Sequence, residues 1–142
     1  MRKRTQAREI ALQALYQHDV QKKLDASAAA DAEQFEIFIR GATEDPEVRE
    51  YARLLLDGSL ANMEEIDRRI AATATHWKLH RIAVVDRCVL RLALFELLGC
   101  PEVPPKVVIN EAVELAKKYS TEQSGAFVNG ILDTIYGETR PT

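Results

Sequence analysis

Cysteine is nearly absent: Cys88 and Cys100 are the only two in 142 residues. They form no Cys-x-x-Cys pair and no disulfide framework, and two thiols suit a reducing compartment. Cys88 lies in an apolar run and reads as a small core residue. Histidine is limited to His18, His76 and His80. The His76/His80 pair has a spacing that can hold a metal, but no third ligand is near in sequence and Trp77 between them points to packing. No stretch of about 18 uncharged apolar residues occurs, which excludes a membrane-spanning helix. Met1-Arg2-Lys3-Arg4 has no apolar run behind it and is no secretory signal, so a cytoplasmic location is expected. There is also no Gly-rich phosphate loop, no Gly-x-Ser-x-Gly elbow and no His-Glu-x-x-His. Glu111 and Glu114 stand at i,i+3, yet their neighbours Asn110, Lys117 and Lys118 suggest a solvated helix face. Nothing nominates a nucleophile, a base and an oxyanion donor together, so no catalytic residue is singled out.

What is present is an ordinary globular balance, 46% hydrophobic and 29% charged, at a length that fits one domain over residues 1–142. Five prolines and six glycines punctuate the chain in clusters. Between the breaks the apolar spacing is helical, with no convincing period-2 strand. Helices are expected over 4–23, 27–40, 46–60, 62–75, 80–98, 105–119 and 121–136. The fold class is therefore all-α, a compact bundle of about seven helices. From Ile82 to Leu98, 13 of 17 residues are apolar. A helix apolar nearly all round is buried on most sides, which makes this the central one, and its Asp86, Arg87, Arg91 and Glu96 must find partners or reach solvent. Ser120 and Gln123 have capping-box spacing ahead of the last helix. Gly130, inside that helix, is read as permitting a close backbone approach.

The net charge of −3 hides an asymmetry. Residues 1–23 carry six bases (Arg2, Lys3, Arg4, Arg8, Lys22, Lys23) and two acids; residues 25–50 invert this, with eight acids and two bases. A basic arm leading into a helix can contact phosphates. Arg4 and Arg8, four apart, share a helix face, and Tyr16, two turns beyond Arg8 on nearly the same side, is placed to stack on a base or bond a partner. No helix-turn-helix or RNP signature accompanies the arm.

Four strings are more specific. Arg-x-x-Ala-Arg-Glu-x-Ala-Leu-Gln-Ala-Leu-Tyr (Arg4 to Tyr16), Val89-Leu-Arg-Leu-Ala-Leu-Phe-Glu-Leu97, Val103-Pro-Pro-Lys-Val-Val-Ile-Asn-Glu-Ala-Val-Glu-Leu-Ala-Lys-Lys118 and Phe127-Val-Asn-Gly-Ile-Leu-Asp133 occur in order. Together they resemble the NusB family of bacterial transcription antitermination factors; residues 24–75 match in helical character and length only. The resemblance implies two packed helical subdomains. It also implies binding of boxA RNA in ribosomal RNA leaders together with NusE, a ribosomal small-subunit protein, in an antitermination complex with RNA polymerase that reads through terminators. It implies no catalysis and no cofactor. Carried over residue by residue, Arg2, Lys3, Arg4 and Arg8 would hold the RNA backbone. Tyr16 would sit near the shared RNA and NusE surface, and Asp86, Tyr119 and Phe127 would contact NusE. Gln123 belongs to the same surface but stands where the resemblance leads one to expect an acid. Thr5 and Gln6 likewise replace basic residues of a fuller arm. Asn110, Glu111, Asn129 and Gly130 are read as structural, holding the C-terminal helices together. The resemblance leaves a monomer and a homodimer both open, and a dimer would cover the arm.

Two further readings compete. The module also resembles the N-terminal RNA-binding domain of some ribosomal RNA cytosine methyltransferases, but these carry a long catalytic domain afterwards, whereas this chain ends at Thr142. The other is a protein-interaction bundle whose basic arm is idle.

Overall fold

The computed structural model describes residues 2–24, 32–75 and 81–139. Seven helices account for nearly all of these: α1 (Lys3–Leu24), α2 (Ala32–Ala42), α3 (Pro46–Ala61), α4 (Met63–Thr73), α5 (Val84–Gly99), α6 (Pro105–Tyr119) and α7 (Glu122–Thr139). No strand occurs among the described residues. The expected all-α class is therefore observed. The His76/His80 pair and the start of the expected second helix lie outside the described residues. The chain divides into two compact units, residues 1–57 and 58–142, with the division inside α3.

In the first unit α1 is amphipathic with a wide apolar arc. Ala7, Ile10, Ala11, Leu12, Ala14 and Leu15 are all buried, and together they occupy more than half of the circumference. Arg8 falls within that arc and is 5% exposed. α2 closes on α1 through His18 and Phe35, whose rings meet edge to face at 5.6 Å. α3 is entered through Pro46, at the first helical position where a missing N–H costs nothing. Its cap is Asp45, whose Oδ1 accepts from the Glu47 backbone N–H at 2.9 Å. Arg49 returns to the end of α2, its Nε donating to the Thr43 carbonyl at 2.6 Å and its Nη2 to the Arg40 carbonyl at 3.1 Å. Those carbonyls lack helical partners of their own, so the guanidinium satisfies them. Arg53 forks onto Glu36, with Nη2–Oε1 at 2.6 Å and Nε–Oε2 at 2.8 Å, tying α3 to α2.

The second unit is built around α5, which buries Cys88, Val89, Leu90, Leu92, Ala93 and Leu94. Its start differs from the sequence reading: α5 begins at Val84 rather than near residue 80, because Ile82 is buried from an irregular segment. An apolar run marks burial, not helix, at that point. Of the four charges on α5, Arg91 is 8% exposed and grips Asp67 of α4 with both fork nitrogens, at 2.8 and 2.9 Å. α6 buries Val108, Ile109, Ala112, Leu115 and Ala116, and α7 contributes Val128, Ile131, Leu132 and Ile135.

Three local readings need correction. The cap of α7 is Thr121, whose Oγ1 accepts from the Ser124 N–H at 3.1 Å; the Ser120 hydroxyl is bonded to Ser124 Oγ instead. Gly130 permits no close approach, since a Cβ there would meet open space. The tightest glycine is Gly58, where a Cβ would overlap the Phe95 ring. Asn110, Asn129 and Gly130 are exposed, so packing does not account for them as structural residues; Glu111 is half-buried.

Candidate nucleic-acid interface

The first turn of α1 carries Lys3 and Arg4 to the first half of α3, and there they meet an aromatic floor. Tyr51, 9% exposed, lies beneath the Arg4 guanidinium at 4.7 Å from ring centroid to Cζ, and the buried Arg8 approaches the same ring at 5.9 Å. Cations over a ring face are attracted by its quadrupole, so Tyr51 fixes Arg4 in place without consuming its N–H donors. Around this stack runs a groove of about 400 Å³ lined by Lys3, Arg4, Glu47, Glu50, Tyr51 and Leu54.

The cations of the groove differ. Lys3 Nζ is held by Asp45 Oδ2 at 3.2 Å and Glu47 Oε2 at 3.3 Å. Hydrogen bonds to Asp45 and then Glu47 raise the ammonium above its ordinary value of 10.5. For Asp45, burial acts to raise the carboxyl, but the Glu47 backbone N–H and the Lys3 ammonium outweigh it and hold the group below 3.8. Arg4 and Arg2 are exposed, and neither takes a carboxylate partner among the described residues.

These placements refine the sequence reading. Arg8 and Tyr16 do not present a common side: eight residues advance the helix about 80°, enough to carry Arg8 into the buried arc and leave Tyr16 41% exposed. Tyr16 also stands about 18 Å along α1 from Arg4, at 1.5 Å per residue. Tyr51 was not among the expected residues. Its signal in the sequence is modest: it follows Val48 by three and precedes Leu55 by four, on the apolar face of α3.

The remaining candidates belong to the second unit. Asp86, in the first turn of α5, is 8% exposed; its Oδ2 accepts from Ser124 Oγ at 2.9 Å, and its Oδ1 is buried without a hydrogen-bond partner. The carboxylate thus joins α5 to the start of α7 rather than standing open to solvent. Ser124 is the hub, bonded also to Ser120 at 2.9 Å and Thr121 at 3.1 Å. Gln123, exposed beside it, and the half-buried Phe127 stand one turn apart on α7. Tyr119, half-buried at the end of α6, carries the Lys118 ammonium 5.4 Å above its ring.

A protein helical throughout its described elements, with exposed arginines and an aromatic-backed groove at the start of its first helix, is the class that this fold and site define. The chain belongs to the NusB family, whose model matches residues 5–137. It is 50% identical over 134 residues to the transcription antitermination protein NusB of Anaeromyxobacter dehalogenans (strain 2CP-1), a match covering 94% of this chain and 89% of the relative. Among solved structures it resembles T. maritima NusB, with a TM-score of 0.83, 39% identity, and coverage of 97% of this chain and 93% of that one. It also resembles a chain in the crystal structure of the antitermination factors NusB and NusE in complex with dsRNA. There the TM-score is 0.81 at 33% identity, covering 97% of this chain and 98% of the other.

Proposed function

We propose that this protein is a non-catalytic transcription antitermination factor of the cytoplasm, acting as one RNA-binding domain over residues 1–142. Its ligand is boxA-bearing leader RNA, taken up jointly with NusE, and the assembly helps RNA polymerase read through terminators. The observation that carries the reading is the match, over almost the full length of both chains, to a protein crystallised with NusE and RNA.

Arg2 and Arg4 are the cations open to phosphate, and Lys3 joins them by exchanging its carboxylates. Arg8 acts through Tyr51, which it and Arg4 share. Tyr16, Tyr119, Gln123 and Phe127 face the RNA or NusE, and Asp86 bears on that contact through Ser124, orienting the start of α7. Neutral Gln123 makes the NusE contact here a hydrogen bond rather than an ion pair.

The test is fluorescence anisotropy with a boxA leader RNA, with and without NusE. Binding tightens when NusE is added and weakens steeply with salt. Replacing Arg4 by alanine lowers affinity for all RNAs by a similar factor, and replacing Lys3 lowers it less. A protein that ignores both RNA and NusE at near-physiological salt refutes the reading.

A further inference from the structure

A groove that does nothing but hold phosphates should exclude carboxylates, since each one repels the polyanion. This groove contains two, Glu47 and Glu50. Glu47 is explained by its ion pair with Lys3. Glu50 is not: it lines the groove, is exposed, and no hydrogen bond or ion pair engages it among the described residues. An ionised carboxylate only accepts hydrogen bonds, through two oxygens side by side. A phosphate offers it no donor and the ribose 2′-hydroxyl only one, so the complement on RNA that fills both oxygens is a base edge.

We propose that the groove is a pocket for one unpaired guanine nucleotide. The idea rests on the RNA-binding reading above and specifies what that site recognises. The floor is already built: one face of the Arg4 guanidinium covers Tyr51, and unpaired bases stack on arginine planes as they do on aromatic rings. A base on the other face of Arg4 completes a three-layer stack, with Leu54 against its side. About 400 Å³ gives room for one nucleotide and not for a duplex. Arg4 keeps its N–H donors for the attached phosphate, because the ring beneath it takes none. Guanine alone presents two adjacent donors, N1–H and the exocyclic N2 amine, on its Watson–Crick edge, and these match the two oxygens of Glu50. Adenine and cytosine set an acceptor next to their amine, and uracil flanks its single N–H with two carbonyls, so each would turn a lone pair toward the carboxylate.

Inosine is the discriminating probe, because it is guanosine without the N2 amine. Octamers of uridine carrying guanosine, inosine, adenosine or uridine at one central position are titrated onto the full chain, alone and with NusE, at fixed salt. The guanosine octamer should bind about tenfold tighter than the inosine octamer, as expected of one well-made bidentate pair. Glu50→Gln should bind the two alike. Glu50 is exposed, so this variant keeps its fold, which an unchanged helical circular dichroism spectrum and Tm verify. Arg4→Ala should weaken every octamer. Equal affinity of the natural chain for guanosine and inosine, or a preference that survives Glu50→Gln, overturns the pocket and leaves RNA binding standing. Failure to bind any octamer, with or without NusE, overturns the pocket, while the RNA-binding reading stands or falls with the boxA titration described above.

Discussion

In the first unit the ion pairs lie where water reaches them: the side chain of Lys3 is 54% exposed, and Glu36, gripped by Arg53, is 31% exposed. In the second unit Arg91 and Asp67 are only 9% and 22% exposed, and the buried Asp86 spends one oxygen on Ser124. The residue types are the same, but the environment assigns them different work. A largely buried charge stripped of its partner is a poorly compensated desolvation, so the second unit depends on the Arg91–Asp67 pair, though its Glu65 pairs with Arg68 and Arg69 are as exposed as those of the first unit. An exposed pair is worth little and exchanges readily, so the first unit can trade its pairs for an outside ligand. Glycines likewise differ with their surroundings, and Gly130 of the second unit is as open as Gly41 of the first. Gly58 lies against the Phe95 ring, while Gly41 in α2 looks into open space.

The contrast can be broken most forcibly at Arg91. Arg91→Ala leaves the part-buried Asp67 carboxylate without its partner, and should cost about 3 kcal/mol of unfolding free energy in urea titration. Replacing both partners by apolar residues of similar volume should return much of that loss. If Arg91→Ala costs no more than a typical surface substitution, the buried pair is not what separates the units. Next in size is Gly58→Ala, which drives a methyl group into the Phe95 ring; overpacking of this kind costs about 1–3 kcal/mol. The same substitution at Gly41 should instead raise stability by about 0.5–1 kcal/mol, because it removes backbone entropy from a helix and meets nothing. Calorimetric Tm shifts of opposite sign would sharpen the comparison, and shifts of the same sign would erase it.

The smallest effect is expected at Glu36. The Arg53 and then the Arg40 guanidinium hold its carboxyl below the usual 4.5. A carboxyl lowered on folding stabilises the protein at pH values above its unfolded value, and that contribution disappears as pH falls through the lower folded value. Stability of the natural chain should therefore decline below about pH 4.5 partly through this group. Glu36→Gln should flatten that part of the acid-side slope in a series of melting curves and change little at pH 7.

The sequence made the helices readable because helical periodicity is a local property. The Pro104-Pro105 entry to α6 and the Pro46 entry to α3 lie where the chain breaks suggested. What it did not disclose is mostly non-local. The basic start and the acidic stretch 25–50 were visible as separate imbalances, but nothing in either states that Lys3 reaches Asp45 and Glu47. Tyr51 looks like any core aromatic until Arg4 and Arg8 are brought onto its ring. The cap of α7 shifted by one residue because Ser120 and Thr121 are chemically alike, and only backbone geometry chooses between them. Asp86 could be read as buried from its apolar neighbours, but its partner Ser124 lies 38 positions away.

The clasp on Lys3 also changes what an ionic-strength titration counts. A cation already neutralised by the protein's own carboxylates gathers little extra positive potential, and a phosphate arriving there displaces Asp45 and Glu47 rather than adding a new contact. For a single strand the slope of log K against log salt is about −0.7 for each phosphate newly neutralised. Such a titration on this protein should therefore register Arg2 and Arg4 and largely pass over Lys3, reporting fewer charges than a tally of its leading residues suggests.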